Sequence, residues 1–179
     1  MHVSRAIIAV VLSLFGSVQG ARGLSPSGAC DLPQPLKREI ANRYRGRDLV
    51  NISDLGEDHR SYYRKDHGEG CPGLSKVDFY GDGKPTLALV LIAGSGTKMK
   101  AELVVAHLVD GSWRTRVLDT AEGAPVPVVW RQPPGMYRDV YGNKVIRATR
   151  PVIVFTGYDS WSVLYAWTGS RVEKVWLQD

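Results

Sequence analysis

Short runs of strand-forming residues, separated every 8 to 12 residues by turn signals, fill the chain from Ser75 to its end. That rhythm admits antiparallel hairpins and excludes the helical crossovers that parallel strands need. Thr86–Ala93 (TLALVLIA) is apolar throughout, which predicts a central strand buried on both faces. The loop Gly94–Lys98 leads to its hairpin partner Ala101–Val109, and Asp110-Gly111 turns that strand into Trp113–Leu118. Lys76–Tyr80 precedes this group. Val126–Trp130 lies between prolines and reads as an edge strand. Gly142-Asn143 separates Tyr137–Tyr141 from Lys144–Thr149. Val152–Phe155, Ser162–Trp167 and Val172–Leu177 complete the set, the last pair joined at Thr168-Gly169-Ser170.

The N-terminal half differs. Pro33 and Pro35 suit a helix start, and Leu36, Ile40 and Tyr44 recur on one helical face. Lys37, Arg38, Arg43 and Arg45 occupy the other faces, and Gly46 suits a C-cap. Residues 47–73 read as irregular, with one short strand at Leu49–Ile52 and a closing Gly68-Glu69-Gly70-Cys71-Pro72-Gly73 too rich in glycine and proline for regular structure. The expected fold class is therefore α+β: one N-terminal helix packed on a twisted antiparallel β-meander sheet. Residues 32–179 form its single domain, without repeats or linkers.

Residues 1–20 have the order of a secretory signal peptide. Arg5 supplies a positive charge, Ala6–Phe15 an apolar run, and Val18-Gln19-Gly20 small residues at −3 and −1 before Ala21. The run is about ten residues, too short to cross a bilayer as a helix. The expectation is a periplasmic or extracellular protein with no transmembrane anchor after cleavage and a flexible mature terminus over 21–31. In an oxidising compartment Cys30 and Cys71 are most simply one disulfide. Closing that loop contributes roughly 4 kcal/mol in the chain-entropy account. A lipoprotein acylated at Cys30 is the rival; it has Ser27 rather than Leu three residues earlier and would orphan Cys71. Of the 23 basic residues only Arg5 leaves with the leader, so 22 face 18 acidic ones. That mild excess favours anionic partners but excludes a dedicated nucleic-acid binder.

The most distinctive local motif is Asp78-Phe79-Tyr80-Gly81-Asp82-Gly83-Lys84-Pro85. It resembles the calcium loop of the FG-GAP and VCBS repeat families of secreted and surface proteins. The resemblance implies calcium held by Asp78 and Asp82, with Tyr80 and Thr86 standing where the families place two further oxygen ligands. It covers eight residues and occurs once, whereas those families repeat it to build propeller blades. The residues read alone describe a tight turn: Gly81 and Gly83 supply positive φ and Asp82 bonds its own backbone. The stretch is also similar to a loop of uncharacterised secreted bacterial proteins that pair a Cys-Pro-Gly step with a Gly-Asp-Gly turn and end in a tryptophan-rich hairpin.

No catalytic signature emerges. Asp58-His59 and Asp66-His67 lie in a polar segment and read as solvated, and His107 sits in an apolar strand. Ser95 is not in a nucleophile elbow. Glu102, Glu122 and Glu173 offer carboxylates, but nothing selects an acid–nucleophile pair. Asn51-Ile52-Ser53 is a glycosylation sequon, meaningful in a eukaryotic host. Trp130, Trp161, Trp167 and Trp176, with Tyr158 and Tyr165, read as core aromatics, and the strand face formed by Trp161, Val163, Tyr165 and Trp167 is expected to lie under the N-terminal helix. Lys37, Arg38, Arg43, Arg45 and Arg47, followed by Tyr62 and Tyr63, form the expected contact surface for an anionic envelope component or an acidic protein. The functional expectation is an exported non-catalytic binding protein, of inhibitor or immunity type, without a cofactor. An envelope-polymer hydrolase and a calcium-stabilised structural module are the alternatives.

Overall fold

A strand that is apolar on both faces must be covered on both faces, and the architecture follows from that demand. The computed structural model describes residues 28–178; the expected leader over 1–20 and residues 21–27 lie outside them. Strand β3 (Thr86–Ala93) pairs antiparallel with β4 (Lys100–Val109), which pairs with β5 (Ser112–Glu122). On its other side β3 receives β1 (Asp48–Leu49) and β2 (Leu74–Lys76). The outer face of this five-stranded sheet carries Leu87, Leu89, Leu91, Val104 and Ala106. Helix α1 (Gln34–Arg43) covers it with Leu36 and Ile40, joined by Tyr44. Burying an aliphatic side chain contributes about 1.5–3 kcal/mol. An exposed ion pair such as Lys37–Asp31 or Arg43–Glu39 contributes about 0–1 kcal/mol, so the apolar stripe docks α1.

The inner face meets a second sheet. Its strands run in the order β11 (Val172–Gln178), β10 (Trp161–Trp167), β9 (Val152–Gly157), β6 (Val128–Gln132). Ala88, Val90, Leu103 and Val105 from the first sheet pack there on Val129, Ile153, Phe155, Val163 and Tyr165. The second sheet's far face buries Val152, Val154, Leu164, Ala166 and Val175 under the hairpin β7 (Gly135–Arg138) and β8 (Val145–Ala148), through Ile146 and Ala148. The molecule is thus layered: helix, sheet, sheet, hairpin.

Three expectations are corrected. The strands form two stacked sheets and a hairpin rather than one meander, because β6 skips β7 and β8 to pair with β9. The Trp161–Val163–Tyr165–Trp167 face packs against the first sheet, not beneath α1, since α1 is needed on the opposite face of β3. Residues 47–73 are not irregular: they hold a 3₁₀ turn (Ile52–Asp54) and a second helix, α2 (Glu57–His67). That helix starts with Glu57 and Asp58, ends with Arg64, Lys65 and His67, and stops at Gly68, whose N–H reaches the Arg64 carbonyl at 2.9 Å. Arg60 also donates to the carbonyls of Ile52 and Leu55. Lesser shifts occur at Lys76–Tyr80, where the strand is Leu74–Lys76, and at the end of α1, capped at Tyr44 rather than Gly46. The sequon Asn51 spends its side chain capping the 3₁₀ turn, accepting from the Ser53 N–H at 2.9 Å.

Cys30 and Cys71 are joined, with Cα atoms 5.0 Å apart. The bridge fixes the start of the described chain beside Gly73, whose N–H bonds the Val50 carbonyl at 3.0 Å. A Cβ on Gly73 would overlap Val50's backbone, so only glycine permits that approach. A polar clamp closes the other end of the sheet interface. Asp119 on β5 accepts from Tyr165 Oη on β10 and from Lys174 Nζ on β11, the latter at 2.6 Å. Desolvation pushes the Asp119 carboxyl up, but the bonds from Lys174, Tyr165 and the Thr120 N–H outweigh it, so it titrates below the ordinary carboxylate value.

Two outcomes follow for stability. Replacing both cysteines by serine should lower the unfolding free energy by about 2–4 kcal/mol, read by urea denaturation, while leaving the circular dichroism of the fold intact. Asp119→Asn should cost about 2 kcal/mol, because Lys174 and Tyr165 lose a charged acceptor. Since the folded Asp119 titrates low, its contribution is complete above the ordinary 3.8. It is lost as pH falls through the lower folded value, and the variant should show a flatter stability profile there.

Candidate functional site

An open hollow lies where the two sheets fail to meet. β2 and β6 are both edge strands and lie side by side at one end, where the Val129 N–H donates to the Pro72 carbonyl at 2.9 Å. They are not paired along their lengths, and an open groove of about 900 Å³ lies between them. Trp130 belongs to β6, and α2 adds Tyr63 and His67 to the wall. The His67 ring packs on Trp130 at 4.8 Å and on Tyr63 at 4.9 Å between centroids. Burial lowers the His67 pKa, against a weaker opposing pull from Asp66, so this ring is neutral at pH 7. Burial also pushes the Tyr63 phenol up to about 12.

Three cations line the groove: Lys76 on β2, Arg131 on β6 and Lys84 from the Gly-Asp-Gly loop. None makes a salt bridge among the described residues; Asp78 is the one carboxylate in the lining, and Asp82 of the same loop feels the Lys84 charge. The groove is therefore positively charged where it is open, with an aromatic wall behind.

The loop holding Lys84 is itself braced. Gly81 and Gly83 have φ of 66° and 72°, and Asp82 accepts from the Lys84 N–H at 3.1 Å, as the turn reading requires. Arg150 donates to the Tyr80 carbonyl and lies across Gly81, where an added Cβ would enter the guanidinium. The other Asp82 oxygen meets His107 Nε2 at 3.1 Å, and His107 Nδ1 meets Thr86 Oγ1 at 2.8 Å. Desolvation pushes the Asp82 carboxyl up; the Lys84 N–H and His107 outweigh it and hold it below the ordinary value. A hydroxyl, an imidazole and a carboxylate in series suggest a nucleophile relay. Thr86, however, is 1% exposed, so its hydroxyl is closed to an acyl substrate. The series acts as a strut tying the loop to β4. As for calcium, Asp78 is exposed and Asp82 is already engaged, and no group of three or more His, Cys, Asp or Glu able to hold a metal ion occurs among the described residues.

The expected contact surface is divided. Lys37 pairs with Asp31 at 3.3 Å, Arg43 with Glu39 at 3.9 Å and Arg47 with Glu102 at 2.5 Å. Arg38 and Arg45 make no ion pair among the described residues. Tyr62 is 44% exposed on α2, but Tyr63 is 3% exposed and belongs to the core, correcting its place on a contact surface. The helices serve different layers: α1 covers the first sheet's outer face, whereas α2 stacks its rings on Trp130 and on Tyr158 after β9. His59 and His67 sit on a helix, not in a solvated loop. Of the carboxylates weighed for hydrolysis, Glu102 binds Arg47, Glu122 binds Lys100, and Glu173 binds Lys144 and Arg171. Sequence reasoning missed the groove residues. The available signal was His59, Tyr62, Tyr63 and His67, whose helical spacing carries α2's ring face.

Gly81→Ala should destabilise the chain by about 2 kcal/mol, because it places a side chain at positive φ and displaces Arg150. Thermal denaturation measures this, and Gly83→Ala, with open space around it, should cost less.

No family model matches this chain, and neither a curated protein nor a solved structure matches it.

Proposed function

We propose that this chain is an exported, non-catalytic binding protein whose binding site is the groove between β2 and β6, and that its ligand is anionic. The observation that carries this reading is the convergence of Lys76, Lys84 and Arg131, none in a salt bridge among the described residues, on one open groove whose lining holds one carboxylate, Asp78. A cation already paired inside the protein must give up its partner to bind a ligand; an unpaired one loses only water. On that ground the groove is favoured over α1, where Lys37, Arg43 and Arg47 are already engaged. Trp130 and the neutral His67 ring supply flat apolar surface beside the charges, the composition that binding sites favour. Support for export comes from the leader pattern of residues 1–20 and from the Cys30–Cys71 bridge, a bond that reducing cytosol does not sustain.

The test uses the mature chain as bait against an extract of its native envelope and medium. Lys76→Glu/Arg131→Glu should reduce ligand retention about tenfold, a loss of about 1.4 kcal/mol. Arg38→Glu/Arg45→Glu should leave retention unchanged. The opposite result would move the binding face to α1 and overturn the groove assignment.

A further inference from the structure

The groove's walls are strand edges, and edges have main-chain groups to satisfy. In an antiparallel pair successive residues alternate between bonding the partner strand and pointing away from it. On β2 the rungs to β3 are made by its neighbours: the Val90 N–H bonds the Gly73 carbonyl at 2.9 Å and the Val77 N–H bonds the Thr86 carbonyl at 3.0 Å. Counting from 73 and 77, the backbone N–H and C=O of Lys76 point away from β3. On β6 the Val129 N–H leaves β9 and donates to Pro72. Two residues on, the N–H and C=O of Arg131 point to the same side. Neither Lys76 nor Arg131 makes a hydrogen bond through these groups among the described residues. The Pro72 contact shows that this edge of β6 already takes an extended segment at Val129 and stops one rung short of Arg131.

Resting on the reading of the groove as the binding site, we infer that its ligand is an extended acidic segment of a polypeptide, which adds as a strand to the free edge at Arg131 and Lys76. Main-chain bonding continues the rung begun by Pro72, while Lys76, Lys84 and Arg131 face the ligand's carboxylates. Strand addition of this kind draws affinity from backbone bonds and selectivity from the side chains alongside. Trp130 and His67 provide the flat surface for alternate side chains. A polysaccharide or lipid headgroup would meet the same charges, but it would leave the two edges unanswered. The open edges decide for a peptide.

The experiment uses the mature chain and three probes. The first is a blocked seven-residue peptide alternating Glu and Thr. The second is that peptide N-methylated on one or the other set of alternate residues. The third is dextran sulfate, a polyanion without a peptide backbone. Binding is followed by fluorescence anisotropy and by amide chemical shifts. The unmodified peptide should bind with micromolar affinity and shift the amides of Arg131 and Lys76. Methylating either set should weaken binding at least tenfold and remove the amide shift at one edge only, Arg131 for one set and Lys76 for the other, because a strand lying between two edges bonds each through alternate residues. Lys76→Glu/Arg131→Glu, both at exposed positions and checked for an unchanged melting temperature, should also weaken it about tenfold. Methylated peptides that bind as tightly as the unmodified one would overturn strand addition. Dextran sulfate shifting the groove amides where the peptide does not would also overturn strand addition, yet leave the groove as an anion site. No groove amide responding to any probe would overturn both.

Discussion

The fold depends on β3 being apolar on both faces. A half-solvated strand needs cover on one side only; this one carries Leu87, Leu89 and Leu91 to one face and Ala88 and Val90 to the other. Each face must lose its water for the strand to be stable, and no single element can serve both. Helix α1 is short and covers one. The second sheet covers the other, and because that sheet is apolar on its far side too, it recruits the β7–β8 hairpin in turn. The layering is a chain of such debts, each passed outward until a polar surface ends it.

The groove is a by-product of that stacking. Two twisted sheets in contact across their centres separate toward a corner, and here the separation falls between β2 and β6. One hydrogen bond, Val129 to Pro72, closes the near end; beyond it the edges are open. Isolated edges of this kind invite indiscriminate pairing, and charged side chains along an edge are one defence. Lys76 and Arg131 serve that role against other copies of a basic chain. The same charges favour an acidic strand, so protection from self-association and selection of a ligand follow from one arrangement.

What was legible in the sequence tracks what is local. Strand existence, the Asp110-Gly111 and Thr168-Gly169-Ser170 turns, the apolar stripe of α1 and the Cys30–Cys71 pairing were readable, since each depends on a few neighbouring residues. The partition into two sheets was not. It depends on β6 passing over β7 and β8 to reach β9, a choice made by packing across the core rather than by turn chemistry. Helix α2 was hidden for a different reason. It buries Tyr63 alone and otherwise touches the protein through imidazole and phenol rings and the Arg60 guanidinium, so it carries no aliphatic stripe to read. The contact surface placed at Lys37–Arg47 and Tyr62–Tyr63 combined residues that are adjacent in sequence but assigned to different layers.

The arrangement of charge makes the groove more than a gap. Arg47, Lys144 and Lys174 each reach a carboxylate across tens of residues of sequence. Those pairs join separate elements and steady the layers, as Asp119 shows by gathering Lys174 and Tyr165 from two strands. Lys76, Lys84 and Arg131 join nothing. A surface cation left in water costs the fold little, so stability does not demand partners for them. An acidic segment lying between them meets the three cations while taking up the open main-chain rungs. An acidic strand answers the groove's charge through its side chains and its open edges through its main chain, so one extended segment meets both.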